Sequence, residues 1–161
     1  MAHADEAHDD SGADLRSAKE SALRMLTARE HSTFELKRKL AARGHARGTV
    51  ERVVDGLADR ALVSDRRFVD AFVRTRIERG QGPIRIRAML RERGVDDELI
   101  EDAVTRSADF WLDCIEQVRR KRFASDARRA LDHAEWTRQA RFLSQRGFPS
   151  DLIYRALGDR D

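Results

Sequence analysis

At 161 residues, with 40% apolar and 38% charged side chains, the chain suits one ordinary domain or a short array of small units. A single cysteine, Cys114, excludes a disulfide framework and a thiolate metal site, and no apolar run approaches the ~20 residues of a membrane helix. The net charge is only +3 but the isoelectric point is about 9.5, because 28 of the 32 basic residues are arginine.

Arginine offers phosphates and carboxylates a planar, bidentate fork that lysine lacks. A general preference for arginine over lysine accounts for the total equally well, so clustering is the informative feature. With no disulfides, an acidic amino terminus and no leader-like run, a soluble protein of a reducing cytoplasm is expected. Only two prolines occur and no alternating β-branched run is long enough for a strand, so the expected fold is all-α.

Residues 1–17 (MAHADEAHDDSGADLRS) are polar and acidic, and are expected to form a disordered tail. His3 and His8 lack the further ligands a metal needs, so a solvated segment is the better reading and no metal is expected. A first helix is predicted over roughly Lys19 to Arg29, with Ala22, Leu23, Met25 and Leu26 on its apolar face. Ser32-Thr33-Phe34-Glu35 reads as a capping box, with reciprocal bonds between Ser32 and Glu35, and opens a second helix carrying Leu36 and Leu40. Gly44 ends it, and a third helix from about Thr49 turns Val50, Val53, Val54 and Leu57 inward.

The same plan recurs. Phe68, Val69, Phe72, Val73 and Ile77 mark a fourth helix. Pro83 fits the first turn of a fifth, where its missing amide proton costs nothing, with Ile86, Met89 and Leu90 inward. Gly94 stops that helix, Asp96 or Asp97 caps a sixth, and Leu99, Ile100, Ala103 and Val104 pack it down. Phe110 to Phe123 forms the next, through Trp111, Leu112, Ile115 and Val118. Ala127, Ala130 and Leu131 continue or restart a helix, another runs from about Glu135 to Gly147, and Pro149-Ser150 opens a last one with Leu152, Ile153, Ala156 and Leu157.

Leu-x-x-Arg-Gly occurs three times, at Leu40 to Gly44, Leu90 to Gly94 and Leu143 to Gly147, with glycines 50 and 53 residues apart. Six residues beyond each glycine stands Val50, Ile100 or Ile153; ten beyond stands Val54, Val104 or Leu157. Three matches in register indicate a tandem array of three three-helix, helix-turn-helix-like repeats, over residues 18–63, 64–108 and 109–161. Leucine anchors the second helix, glycine supplies positive φ where it stops, and Arg43, Arg93 or Arg146 complements the helix dipole in its last turn. Such arrays are expected to be elongated and curved, suited to lying along another extended object rather than enclosing a small substrate.

Two basic clusters stand out. Arg74, Arg76, Arg79, Arg85, Arg87 and Arg91 surround the joint from Gly80 to Pro83, where residues 74–93 carry a local charge of +5. Arg119, Arg120, Lys121 and Arg122 with Arg128 and Arg129 give +5 over residues 119–129. Either cluster could meet acidic protein or DNA phosphate, with affinity falling as salt rises. The competing reading is a solvated helix face paired with acids such as Glu78 and Glu92. Phe123 could stack on a base, although core packing explains it more simply. No phosphate-cradling P-loop and no HExxH helix occurs. Cys114 with His133 is weak support for nucleophilic catalysis, so no enzyme activity, catalytic residue or cofactor is expected.

The chain resembles the RecX family of recombinase regulators from roughly Ser21 to Gly158. The resemblance rests on Ser32, Glu35, Leu36 and Leu40 in the first repeat. In the second it rests on Leu62, Asp65, Phe68, Phe72, Arg76, Gly80, Gly82-Pro83, Ile86, Leu90 and Arg93-Gly94-Val95; in the third, on Arg146-Gly147-Phe148. Ser64 stands where the family usually has an acid, and Val69 where alanine is usual. The resemblance implies a non-enzymatic regulator of RecA that binds RecA filaments on single-stranded DNA. It implies depressed ATP hydrolysis, strand exchange and co-protease function, and hence modulation of recombination, DNA repair and the SOS response. The two arginine clusters are the expected RecA- or DNA-binding residues, with single-stranded or duplex DNA met directly or through RecA. A monomer is the default expectation. The alternative is an autonomous, sequence-independent DNA-binding helical protein.

Overall fold

The computed structural model describes residues 3–123 and 131–158; Arg128, Arg129, Ala127 and Ala130 lie outside them. The described residues form nine helices and no strands: α1 (His3–Ala28), α2 (Thr33–Ala42), α3 (Arg47–Asp59), α4 (Asp65–Glu78), α5 (Pro83–Arg91), α6 (Asp97–Val104), α7 (Ala108–Phe123), α8 (His133–Arg146) and α9 (Ser150–Leu157). The chain divides into two units, residues 1–71 with 93–95, and residues 72–92 with 96–161.

In the first unit α1, α2 and α3 pack against one another. Ala18, Ala22, Met25, Leu36, Leu40, Val50, Val53, Val54, Leu57 and Val63 form one core, with Leu15 and Leu26 at its edge. All four apolar positions predicted for α3 are buried. Leu23, predicted inward, is instead exposed on α1. Helix α1 also starts well before Lys19, within the tail expected to be disordered. Its continuation has a physical cause at residues 14 and 15: Leu15 packs on the core, and Asp14 takes the His45 ring at 2.6 Å.

In the second unit α5 packs on α6, and α9 on both α7 and α8. Ile86, Leu90, Ile100, Val104, Trp111, Ile115, Leu143 and Phe148 are buried there. The Phe148 ring meets Trp111 edge-on at 6.4 Å. Gln139 is fully buried yet satisfied, accepting from Arg119 at 2.9 Å and donating to Glu135 at 2.8 Å. Burying it without those partners would cost ~1–3 kcal/mol.

Local chemistry sets the helix ends. Ser32 caps α2 by accepting from the Glu35 amide at 3.0 Å. The return bond of the predicted capping box does not form. Arg29 takes the Glu35 carboxylate instead, at 2.6 and 3.1 Å. Asp96 caps α6, accepting from the Glu98 amide at 2.9 Å, and Asp132 caps α8, accepting from the Glu135 amide at 2.8 Å. Pro83 occupies the first turn of α5. Gly44, Gly94 and Gly147 all have positive φ, as the repeated motif requires.

Candidate partner-binding surface

The Gly80 to Pro83 joint, at the centre of the first arginine cluster, is structural. Gly82 and Pro83 are buried. The Gly82 amide donates to the Arg146 carbonyl at 2.7 Å, and the Ile84 amide to the Gly147 carbonyl at 3.0 Å. A Cβ on Gly82 would lie 2.5 Å from Gly147 backbone and 2.6 Å from the Phe148 nitrogen. The joint therefore receives the Arg-Gly turn of the third repeat. The Gly82 and Ile84 amides are thus spent inside the protein, which leaves Gly80, at the edge of a cleft, as the part of the joint that faces outward.

The arginines around it divide by their neighbours. Arg87 forms a bidentate pair with Glu101 at 2.8 and 2.9 Å, which holds that carboxyl below its usual range. Arg91 pairs with Asp97 at 2.7 Å. Arg85 donates to the Gln145 carbonyl at 3.1 Å. The Arg76 guanidinium lies 4.6 Å from the centroid of the Phe72 ring. Arg74 and Arg79 are exposed, with no side-chain partner among the described residues. The acids that pair with Arg87 and Arg91 are Asp97 and Glu101 of α6 rather than the nearby Glu78 and Glu92.

The second cluster is also mixed. The Arg119 side chain is only 12% exposed and bonds Gln139, Glu116 and the Ala156 carbonyl, which makes it a core strut. Arg120 pairs with Glu116 at 3.0 Å. Lys121 and Arg122 are exposed. Phe123 is half-buried, edge-on to Phe142 at 5.3 Å, and Arg138 and Arg122 lie 5.2 and 5.6 Å from its centroid. These contacts commit the ring to packing within the protein.

The structure brings Arg79 of the first cluster to exposed members of the second. Arg79, Lys121 and Arg122 line one cleft of the second unit, together with Arg146 of the repeated motif. Arg146 donates to the Arg79 carbonyl at 2.9 Å, just beyond the end of α4, and its guanidinium sits 5.1 Å from the Phe142 centroid. Arg146 and Phe142 were not among the expected contact residues. The repeat marks Arg146 first for a scaffold role and only second for a partner contact.

Three domain models of one family match the chain in order: the RecX first three-helix domain at residues 18–57, the second at 64–104 and the third at 109–157. The chain belongs to the RecX family. "Regulatory protein RecX" of Halorhodospira halophila is 41% identical over 152 residues, covering 94% of this chain and 93% of that protein. The protein of the same name from Chromohalobacter salexigens is 41% identical over 139 residues, or 86% of this chain and 90% of that one. The crystal structure of RecX from Lactobacillus salivarius superposes with a TM-score of 0.73 at 20% identity, covering 91% of this chain and 96% of that one. A second solved structure, of a regulatory protein RecX, gives a TM-score of 0.79 at 21% identity over 98% of this chain and 77% of that one. Those two share the fold. The RecX repeats are thus the α1–α3, α4–α6 and α7–α9 triplets. No helix among the described residues is long and apolar enough to cross a membrane.

Proposed function

We propose that this RecX-family chain regulates a RecA recombinase by binding its filament on DNA, and that it inhibits by occupancy rather than by catalysis. The observation that carries this reading is the 41% identity to a protein named regulatory protein RecX along nearly the whole of both chains. Family membership across all three repeats supports it. Depressed ATP hydrolysis, strand exchange and co-protease function follow as the expected consequences, with recombination and the SOS response as the processes affected.

Arg74, Arg79, Lys121 and Arg122 are the contact residues the reading favours, because their charge is not already committed to an internal acid. Arg87, Arg91 and Arg120 would first have to give up Glu101, Asp97 and Glu116. Arg119 belongs to the interior of the third repeat.

The test is DNA-dependent ATP hydrolysis by RecA with this protein added below stoichiometry. The expected result is a lower rate, recovered in part as salt rises. An unchanged rate together with no binding to preformed filaments would reject the regulator reading. Tight DNA binding without any effect on RecA would favour an autonomous DNA-binding protein.

A further inference from the structure

The cleft that gathers Arg79, Lys121, Arg122 and Arg146 has a volume of about 260 Å³ and an apolar floor of Ile77, Val118 and Phe142. That is slightly below the roughly 300–1,000 Å³ of pockets for drug-sized ligands, and gives room for one large side chain with its flanking backbone. Among the described residues, Glu78 is the sole acid on its wall. The wall is closely packed at one point, where a Cβ on Gly80 would stand 2.8 Å from the Val118 side chain.

Two features decide what such a site takes. Phe142 carries the Arg146 and Arg122 guanidiniums at 5.1 and 6.0 Å from its centroid, and Phe123 beside it is covered in the same way. Both rings already carry guanidiniums, so they compete poorly as the stacking platforms from which sequence-tolerant readers of single strands gain affinity. A guanidinium held against a ring keeps its N–H edges for a carboxylate or phosphate. The apolar floor then separates the two anions. A phosphodiester strand gains little from Ile77 and Val118, whereas a protein segment with an apolar side chain buries it there.

We propose that this cleft binds an acidic protein segment through one apolar anchor side chain, seated on Ile77, Val118 and Phe142, with flanking carboxylates on Lys121, Arg122 and Arg146. The proposal rests on the cleft alone, so its test needs no recombinase and can fail while the regulator reading stands.

Cys114 lines the cleft and is the chain's single cysteine, so its alkylation reports occupancy. The probe is a fluorescein-labelled pentapeptide with phenylalanine between two pairs of aspartates. A control peptide has serine in place of phenylalanine, and a second control is a short oligo-dT. Anisotropy should show the phenylalanine peptide binding about tenfold tighter than the serine peptide. It should also slow maleimide alkylation of Cys114 at alkaline pH. Lys121→Ala with Arg122→Ala, both exposed sites, should weaken it about tenfold while the melting temperature falls by no more than a few degrees, from the lost Arg122 contacts with Phe123 and Phe142. Equal binding of the two peptides, binding without protection of Cys114, or no binding would overturn the proposal. Protection of Cys114 by oligo-dT and not by the peptide would make the cleft a nucleic-acid site instead.

Discussion

Two joints in this protein do the same task with different chemistry. Each lies just before the second helix of a repeat and receives the Arg-Gly turn of the following repeat. In the first unit the receiver is a side chain: the Ser32 hydroxyl donates to the Arg93 carbonyl at 3.0 Å, and Gly94 lies under the Phe34 ring. In the second unit it is the main chain, where the Gly82 amide donates to the Arg146 carbonyl at 2.7 Å. The Ser32 joint is held in a polar frame of Arg29, His31, Glu35 and Lys39, whereas the Gly82 joint is held by the absence of side chains. A backbone-to-backbone joint admits no added atom. The side-chain joint is also tight, since a Cβ on Gly94 would overlap the Phe34 ring, but Phe34 is an exposed side chain that can shift, and the joint carries titratable groups. At the Leu40 to Gly44 turn, the first copy of the motif, a Cβ on Gly44 would meet nothing within 4 Å among the described residues.

The largest effect is therefore expected at the backbone joint. In Gly147→Ala the new Cβ would stand 2.6 Å from the Arg85 nitrogen, at a φ of 92° that alanine disfavours. The left-handed conformation costs ~1–2 kcal/mol and overpacking another ~1–3 kcal/mol. At roughly 2–4 °C per kcal/mol, the melting temperature should fall by about 4 °C or more. Gly44→Ala carries the conformational cost without the collision, so its loss should stay near ~1–2 kcal/mol. Equal losses in the two variants would show that the Arg146–Gly147 turn is not docked.

Ser32→Ala comes next. It removes the cap on the Glu35 amide, worth ~1 kcal/mol, and deprives the Arg93 carbonyl of a donor, for a total of about 2 kcal/mol by urea unfolding. A cap-only role would leave the loss near ~1 kcal/mol and leave hydrogen exchange unchanged around Arg93. Increased exchange there is the mark of the joint.

The sequence made the joints' local parts legible and hid their partners. Ser32 before a helix, glycine after Leu-x-x-Arg and Pro83 at a first turn are decided within a few residues, so their chemistry shows in the spacing. The apolar positions of α3 and α6 follow from helical period for the same reason. What the arginines do is decided by distant residues. Arg87 meets Glu101 fourteen positions on and Arg119 meets Gln139 twenty on, while Arg79 and Arg122 share a cleft only after folding. A charge count over residues 74–93 gives the density of arginine but not which ones are already paired. The Gly80 to Pro83 joint misleads in the same way, since its glycines signal close approach without saying that the visitor is the protein's own Arg146–Gly147 turn.

The smallest effect separates the joints by pH. His31 is 2% exposed, with its Nδ1 at 3.0 Å from the Arg29 carbonyl and its Nε2 at 3.0 Å from the Lys39 ammonium. The consistent tautomer has Nδ1–H donating to the carbonyl and Nε2 accepting from Lys39. A second proton would set N–H against an ammonium in a buried place. Burial, helped by the charges of Arg29 and Lys39, holds the His31 pKa below its usual range, outweighing the Arg29 carbonyl and Glu35, which favour the charged ring. The unfolded chain takes up that proton near the ordinary histidine value of ~6.5, whereas the folded chain takes it up only at lower pH. The stabilisation from a neutral His31 is thus full above that value and declines as pH falls below it. Melting temperatures from pH 8 down to pH 5 should fall more steeply in the parent than in His31→Gln, which keeps a polar side chain that does not titrate. The Gly147→Ala offset should stay constant over the same range, because the backbone joint holds no titrating group. Parallel pH profiles for the parent and His31→Gln would remove His31 from the account and leave the Ser32 joint distinguished only by its side-chain hydroxyl.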